Sequence, residues 1–136
     1  MAKLGPTLDN RTPNTQSRAM TYLVIALGRA LGACLRFLVS QQVVFPYGTW
    51  IVNLLGSFLM GLAFVGLAAR FGDRASLFFM TGFLGAFTTY SAFSLDVFKL
   101  IEAGRIGFAA TYMTTTLVGA VGALFFGVFV MRSIMQ

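Results

Sequence analysis

The chain has 136 residues, 57% of them hydrophobic and 10% charged, and its mean hydropathy is +0.81. Soluble domains carry about 25% charged residues, so this composition excludes an ordinary soluble fold and indicates an integral membrane protein. The formal charge is +6, but the basic residues sit mostly in the amino-terminal tail and at the ends of apolar segments. That placement favours membrane anchoring over nucleic-acid binding. An enzyme is not indicated, because the sequence has no histidine, no clustered carboxylates and no pattern for an activated nucleophile.

In chain order, residues 1–19 read as a flexible polar tail. Met1 to Gln16 are rich in Pro, Asn, Thr and charge, with no apolar block long enough for a signal peptide. Residues 20–132 read as one all-α transmembrane domain, since a spanning helix needs about 20 mostly apolar residues and four such segments fit here. The first runs from Met20 to Val39. It contains Arg29, Arg36, the close-packing pattern Gly28-xxx-Gly32, and Cys34, the one cysteine, which reads as a small packing residue. A connector, Ser40 to Tyr47, holds Pro46. The second span runs from Gly48 to Ala69 with Asn53 and Ser57 one turn apart, and a short basic turn, Arg70 to Arg74, follows.

The third span, Ala75 to Glu102, is interrupted from Gly82 to Asp96 by small, hydroxylated and aromatic residues. A weakened helix at membrane depth is tolerated only where protein or an aqueous cavity covers its backbone, so this stretch belongs inside a packed assembly. The turn Ala103-Gly104-Arg105 leads to the fourth span, Ile106 to Met131, closed by Arg132. Short turns favour antiparallel neighbours, and so small a bundle fills its own core, so a transport path is expected between subunits. With four spans, Lys3, Arg11, Arg18, Arg70, Arg74 and Arg132 share one membrane face and Lys99, Arg105 and Arg36 the other. This slight bias specifies orientation weakly, and insertion in both directions is compatible with it.

Several polar residues are candidate site residues. Asn53 brings two donors and an acceptor into hydrocarbon, which a neighbour or a solute must match; interhelical bonding and pathway lining both remain open. Tyr112 and Thr116 lie one turn apart beside Thr115, although threonine in a spanning helix more often bonds its own backbone. Tyr90 and Phe93 share a face if the helix has resumed there; aromatic packing is the ordinary use, and a positive ring edge facing an anion is the functional one. Arg36 and Asp96 fall near segment ends, where snorkelling relieves their cost, whereas Arg29 falls mid-segment without an evident partner.

Three stretches together resemble the CrcB/Fluc family of fluoride channels: Gly28-Arg29-Ala30-Leu31-Gly32-Ala33-Cys34-Leu35-Arg36-Phe37, Gly48-Thr49-Trp50-Ile51-Val52-Asn53-Leu54-Leu55-Gly56-Ser57, and Thr81 through Ser94. The resemblance covers nearly all of Leu23 to Val130. It implies an antiparallel, dual-topology homodimer in the inner cell membrane, with two fluoride pores at the subunit contact. It also implies a structural sodium ion at the dimer centre, held by backbone carbonyls that match Gly85 and Thr88 here. By the same matching, Asn53 is the pore asparagine, and Tyr90 and Phe93 take the places of two pore-facing phenylalanines. Ser91 and Ser94 match hydroxyl positions, Tyr112 and Thr116 fall on a polar track, and Arg36 matches an arginine near a pore vestibule. The chain departs from the family in having tyrosine at Tyr90, Asp96 where glutamate is usual, and Arg29 where glycine is common.

Two other readings compete. A small proton-coupled multidrug exporter is also a four-span dual-topology dimer, but it needs a carboxylate in its first span, and this first span has none. A non-transporting assembly subunit would use the interrupted span for packing alone.

Overall fold

The structure, a computed structural model, describes residues 15–70 and 72–136. The expected tail lies outside the described residues up to residue 14, as does residue 71 within the expected basic turn. Six α-helices and one π-helical segment follow in order: α1 (Thr15–Gln42), α2 (Tyr47–Arg70), α3 (Gly72–Ser76), the π-helical segment (Leu77–Leu84), α4 (Gly85–Phe87), α5 (Tyr90–Glu102) and α6 (Ile106–Ile134). Among the described residues there is no strand.

The boundaries differ from the sequence expectation in an informative way. Helix α1 begins at Thr15 rather than Met20, where polar residues can still satisfy helical hydrogen bonds; the Thr21 hydroxyl, for instance, donates to the Ser17 carbonyl at 2.9 Å. It also runs on to Gln42, which shortens the connector to residues 43–46, with a cis Phe45–Pro46 bond. Its 28 residues make a rod of about 42 Å at 1.5 Å per residue, with Arg29 exposed near the midpoint. Cys34 is exposed on the same helix.

Three helices, α1, α2 and α6, are long and apolar enough to cross a membrane. Their apolar surfaces are mostly not covered by the chain itself: only 11% of the most apolar window of α1 and 6% of that of α6 is buried. Leu23, Leu27, Leu31 and Leu35 on α1, and Val118, Val121, Phe125 and Phe129 on α6, are exposed. Apolar surface of this extent is stable only against lipid or another chain, so the molecule is a multi-pass, all-helical membrane protein. The stretch from Gly72 to Glu102 is also helical but divided into short pieces.

Close approach at glycines sets the packing. Helix α1 lies on the π-helical segment and α4, and a Cβ at Gly28 or Gly32 would run into the carbonyls of Phe78 and Phe83. Helices α2 and α6 meet over most of their length, with Gly61 against the Leu124 carbonyl and Gly127 against the Phe58 carbonyl. Small residues let backbones approach in this way where no aqueous hydrophobic effect drives association. The buried apolar cluster sits at the α5–α6 turn end, where Phe93, Leu100, Ala109 and Tyr112 gather with Trp50, Val97 and Phe108.

Candidate functional site

The helix stops at Phe87 because the backbone leaves the helical region there. Thr88 has φ −72° and ψ 153°, and Thr89 has φ −152° and ψ 119°, both extended. The residues around it prepare this: β-branched threonines lose side-chain freedom in a helix, and Gly82 and Gly85 weaken the preceding turns. The wider π turn ends at Gly85, whose N–H reaches the Met80 carbonyl. Such turns often occur at functional sites. The next helix starts cleanly, since the Thr89 hydroxyl caps it by accepting from the Ala92 N–H at 3.2 Å.

Two side chains from other helices hold this junction. From α2, the Asn53 Nδ2 donates to the Thr89 carbonyl at 3.0 Å, and the Thr89 N–H donates to Asn53 Oδ1 at 2.8 Å. From α1, the Arg36 Nε donates to the Ala86 carbonyl at 3.2 Å. Helix α2 comes close enough because Gly56, three residues after Asn53, leaves room for the Thr88 methyl.

These bonds redirect donors. In a continued helix the Thr89 and Ala92 N–H groups would donate to the carbonyls of Gly85 and Thr88. Here they go to Asn53 and to the Thr89 hydroxyl instead. The Gly85 and Thr88 carbonyls are thereby deprived of their usual partners, and Gly85 is exposed at the surface of the chain. Hard cations prefer oxygen ligands, so these two carbonyls fit a sodium ion chemically. Among the described residues no group of three His, Cys, Asp or Glu could hold a metal, so a cation here would rest on backbone oxygens.

A cavity of about 410 Å³ opens beside the junction and collects six of the sequence-derived candidates: Asn53, Gly85, Thr88, Tyr90, Phe93 and Thr116. Phe93 is buried, whereas Tyr90 is 74% exposed, so the two rings form one wall whose outer half needs a cover from elsewhere. Their centroids lie 5.6 Å apart, and Phe93 in turn meets Tyr112 at 5.7 Å. Asn53, which lines the cavity, spends one of its two amide N–H groups on Thr89.

The remaining candidates do not line this cavity. The Ser91 hydroxyl is exposed and pairs with the Thr89 hydroxyl at 3.4 Å, and the Ser94 hydroxyl donates to the Tyr90 carbonyl at 3.0 Å. Thr116 lines the cavity, yet its hydroxyl donates to the Tyr112 carbonyl at 2.6 Å, the backbone bonding usual for threonine in a spanning helix. Tyr112 donates its hydroxyl to Asp96 Oδ2 at 3.3 Å in a buried pair. Asp96 borders a separate cavity of about 200 Å³ with Ser40, Phe45, Pro46 and Thr49, near the α1–α2 connector. Thr89 is the site residue that sequence reasoning did not single out; a threonine directly before a resumed apolar helix is the N-cap signal that would have found it.

Residues 23–128 match the family model described as CrcB-like protein, Camphor Resistance (CrcB). The chain belongs to the CrcB family. It is similar to the Fluoride-specific ion channel FluC of Cereibacter sphaeroides (strain ATCC 17029 / ATH 2.4.9), with 52% identity over 97 residues, covering 67% of this chain and 77% of the relative. The Fluoride-specific ion channel FluC of Rhodopseudomonas palustris (strain BisB5) is 41% identical over 123 residues, covering 85% and 99%. That of Novosphingobium aromaticivorans is 42% identical over 120 residues, covering 81% and 94%. The CrcB match spans α1 from Leu23 to Val128 of α6, so the junction, both of its side-chain anchors and the cavity lie within it. CrcB is a family of ion channels, not of enzymes.

Proposed function

We propose that this CrcB-family chain is a fluoride-selective channel that lets fluoride leave the cytoplasm passively across the inner cell membrane. The observation that carries this reading is the convergence of Asn53, Phe93, Tyr90 and Thr116 on one open cavity beside the Thr88–Thr89 junction. Fluoride is small and strongly hydrated, so its path must replace water with donors, each weak enough to release the ion. The second Asn53 N–H and the ring edges of Phe93 and Tyr90 are such stations, with the Ser91 and Ser94 hydroxyls on α5 and the Tyr112 hydroxyl on α6 as further candidates. A narrow path of this kind disfavours chloride by size.

The working form is an antiparallel, dual-topology homodimer with four spans per subunit, the third broken at Thr88–Thr89. Two features support it. Tyr90 and Gly85, which belong to the site, are exposed in the single chain, and the faces of α1 and α6 are largely uncovered. A second copy supplies the missing wall and yields two pores. A sodium ion at the centre, held by the Gly85 and Thr88 carbonyls of both subunits, would bind the two junctions together without being transported. Arg36 adds positive charge on the approach, and Asp96 with Tyr112 lies at the α5–α6 end.

The test is fluoride efflux from liposomes containing the purified protein, with chloride as comparison. Fluoride flux without chloride flux is expected, and Asn53→Asp and Phe93→Ile should each reduce it strongly. Undiminished flux in both variants overturns the roles given to these residues. No fluoride flux from the unmodified protein overturns the channel reading itself.

A further inference from the structure

In a helix running through the junction, the Tyr90 N–H would donate to the Ala86 carbonyl. The extended Thr88 and Thr89 carry Tyr90 away, and the Arg36 Nε–H occupies that acceptor from another helix at 3.2 Å. This is a directed bond and not a charge left near an interface. Gly32 presses α1 onto the same turn, where a Cβ would meet the Phe83 carbonyl and the Phe87 N–H, and Arg36 follows one turn later on that face. The packing of α1 therefore delivers the Arg36 Nε to Ala86. Asn53 anchors the other side of the junction at Thr89, so Phe87 and Thr88 lie between two side-chain anchors and Gly85 directly precedes the first.

We propose that Arg36 is a positioning residue: by holding the Ala86 carbonyl it sets the geometry of the neighbouring Gly85 and Thr88 carbonyls that receive sodium. Its main contribution is the donor at Nε, and the positive charge is secondary. The inference rests on the channel reading above, including its sodium site.

Side-chain chemistry offers a clean separation of donor from charge. The Nε2 of glutamine stands the same number of bonds from Cα as the Nε of arginine, so Arg36→Gln keeps a donor at that place without the charge. Arg36→Lys keeps the charge, but a methylene occupies that place. Hydrogen bonds from charged donors contribute about 1.5–3 kcal/mol, so losing this one corresponds to roughly tenfold or more.

The experiment measures fluoride efflux from liposomes and, in detergent, the rise of the unfolding midpoint with sodium, for the unmodified protein, Arg36→Gln and Arg36→Lys, across a series in which sodium is replaced by N-methylglucamine. The sodium-dependent rise is expected to be kept in Arg36→Gln and weakened in Arg36→Lys, and an equal rise in both overturns the proposal. Arg36→Gln is expected to stay within about threefold of the unmodified protein with its sodium dependence kept. Arg36→Lys is expected to lose about tenfold and to need about tenfold more sodium. A lysine variant that matches or exceeds the glutamine variant in flux overturns the proposal, because the charge would then be what matters. If the lysine variant does not fold, Arg36→Leu, which has neither donor nor charge, replaces it in the comparison. Glutamine above leucine supports the proposal, and equality overturns it. Unmodified protein without fluoride flux would instead defeat the channel reading, so the two failures are distinguishable.

Discussion

Asn53 and Thr89 are joined at two points: the carboxamide of one donates to the carbonyl of the other at 3.0 Å and accepts from its N–H at 2.8 Å. A peptide unit lifted out of a helix at membrane depth needs both groups matched, because no water is available to do it. The carboxamide is the side chain that offers a donor and an acceptor in one plane at that spacing. Interhelical bonding and pathway lining, alternatives on the sequence alone, are therefore compatible in one residue.

Replacing Asn53 with alanine should leave both backbone groups of Thr89 unmatched. Each such group costs about 1–3 kcal/mol, so the variant should be destabilised by about 2–6 kcal/mol. Thermal unfolding in detergent is the measurement; an unchanged midpoint would show that the bonds contribute nothing.

Thr89 should tolerate serine but not valine. Serine keeps the hydroxyl that accepts from the Ala92 N–H, whereas valine keeps the shape and loses the cap. Loss of an N-cap costs about 1 kcal/mol, seen as a lowered unfolding midpoint for Thr89→Val and a near-normal one for Thr89→Ser.

At Gly32 an added methyl has no free space, since it would press on the Phe83 carbonyl, which belongs to backbone and cannot swing aside. Gly32→Ala should lose about 1–3 kcal/mol or more and give little monodisperse protein on gel filtration. Gly107→Ala is the control, because nothing lies within 4 Å of a Cβ there. Equal yields of the two variants would contradict the packing described for α1.

The pair Tyr112 and Asp96 should behave as a unit. Tyr112→Phe removes the donor from a buried carboxylate and should cost about 1–3 kcal/mol. Once Asp96→Asn has removed the charge, the same tyrosine change should cost less. A double-mutant cycle in unfolding free energy should therefore give a coupling of about 0.5–3 kcal/mol, and simple additivity would dismiss the pair.

The sequence by itself determined the solvent and the class of fold. Long apolar segments between Met20 and Met131 can be stable only as helices in lipid, and the glycines at Gly28 and Gly32 already indicated backbone contact. The weak point of the helix was legible too, since Gly, Thr and Ser cluster between Gly82 and Ser94 and each lowers helix stability. Local propensity does not say which groups satisfy a severed helix, because those partners come from far along the chain. Arg36 lies 50 residues from Ala86 and Asn53 lies 36 from Thr89. Only the packing of α1 and α2 against the junction decided that these two side chains hold it. The same packing put Thr116 and Phe93 on one cavity with Asn53, and turned Tyr112 away from that cavity toward Asp96.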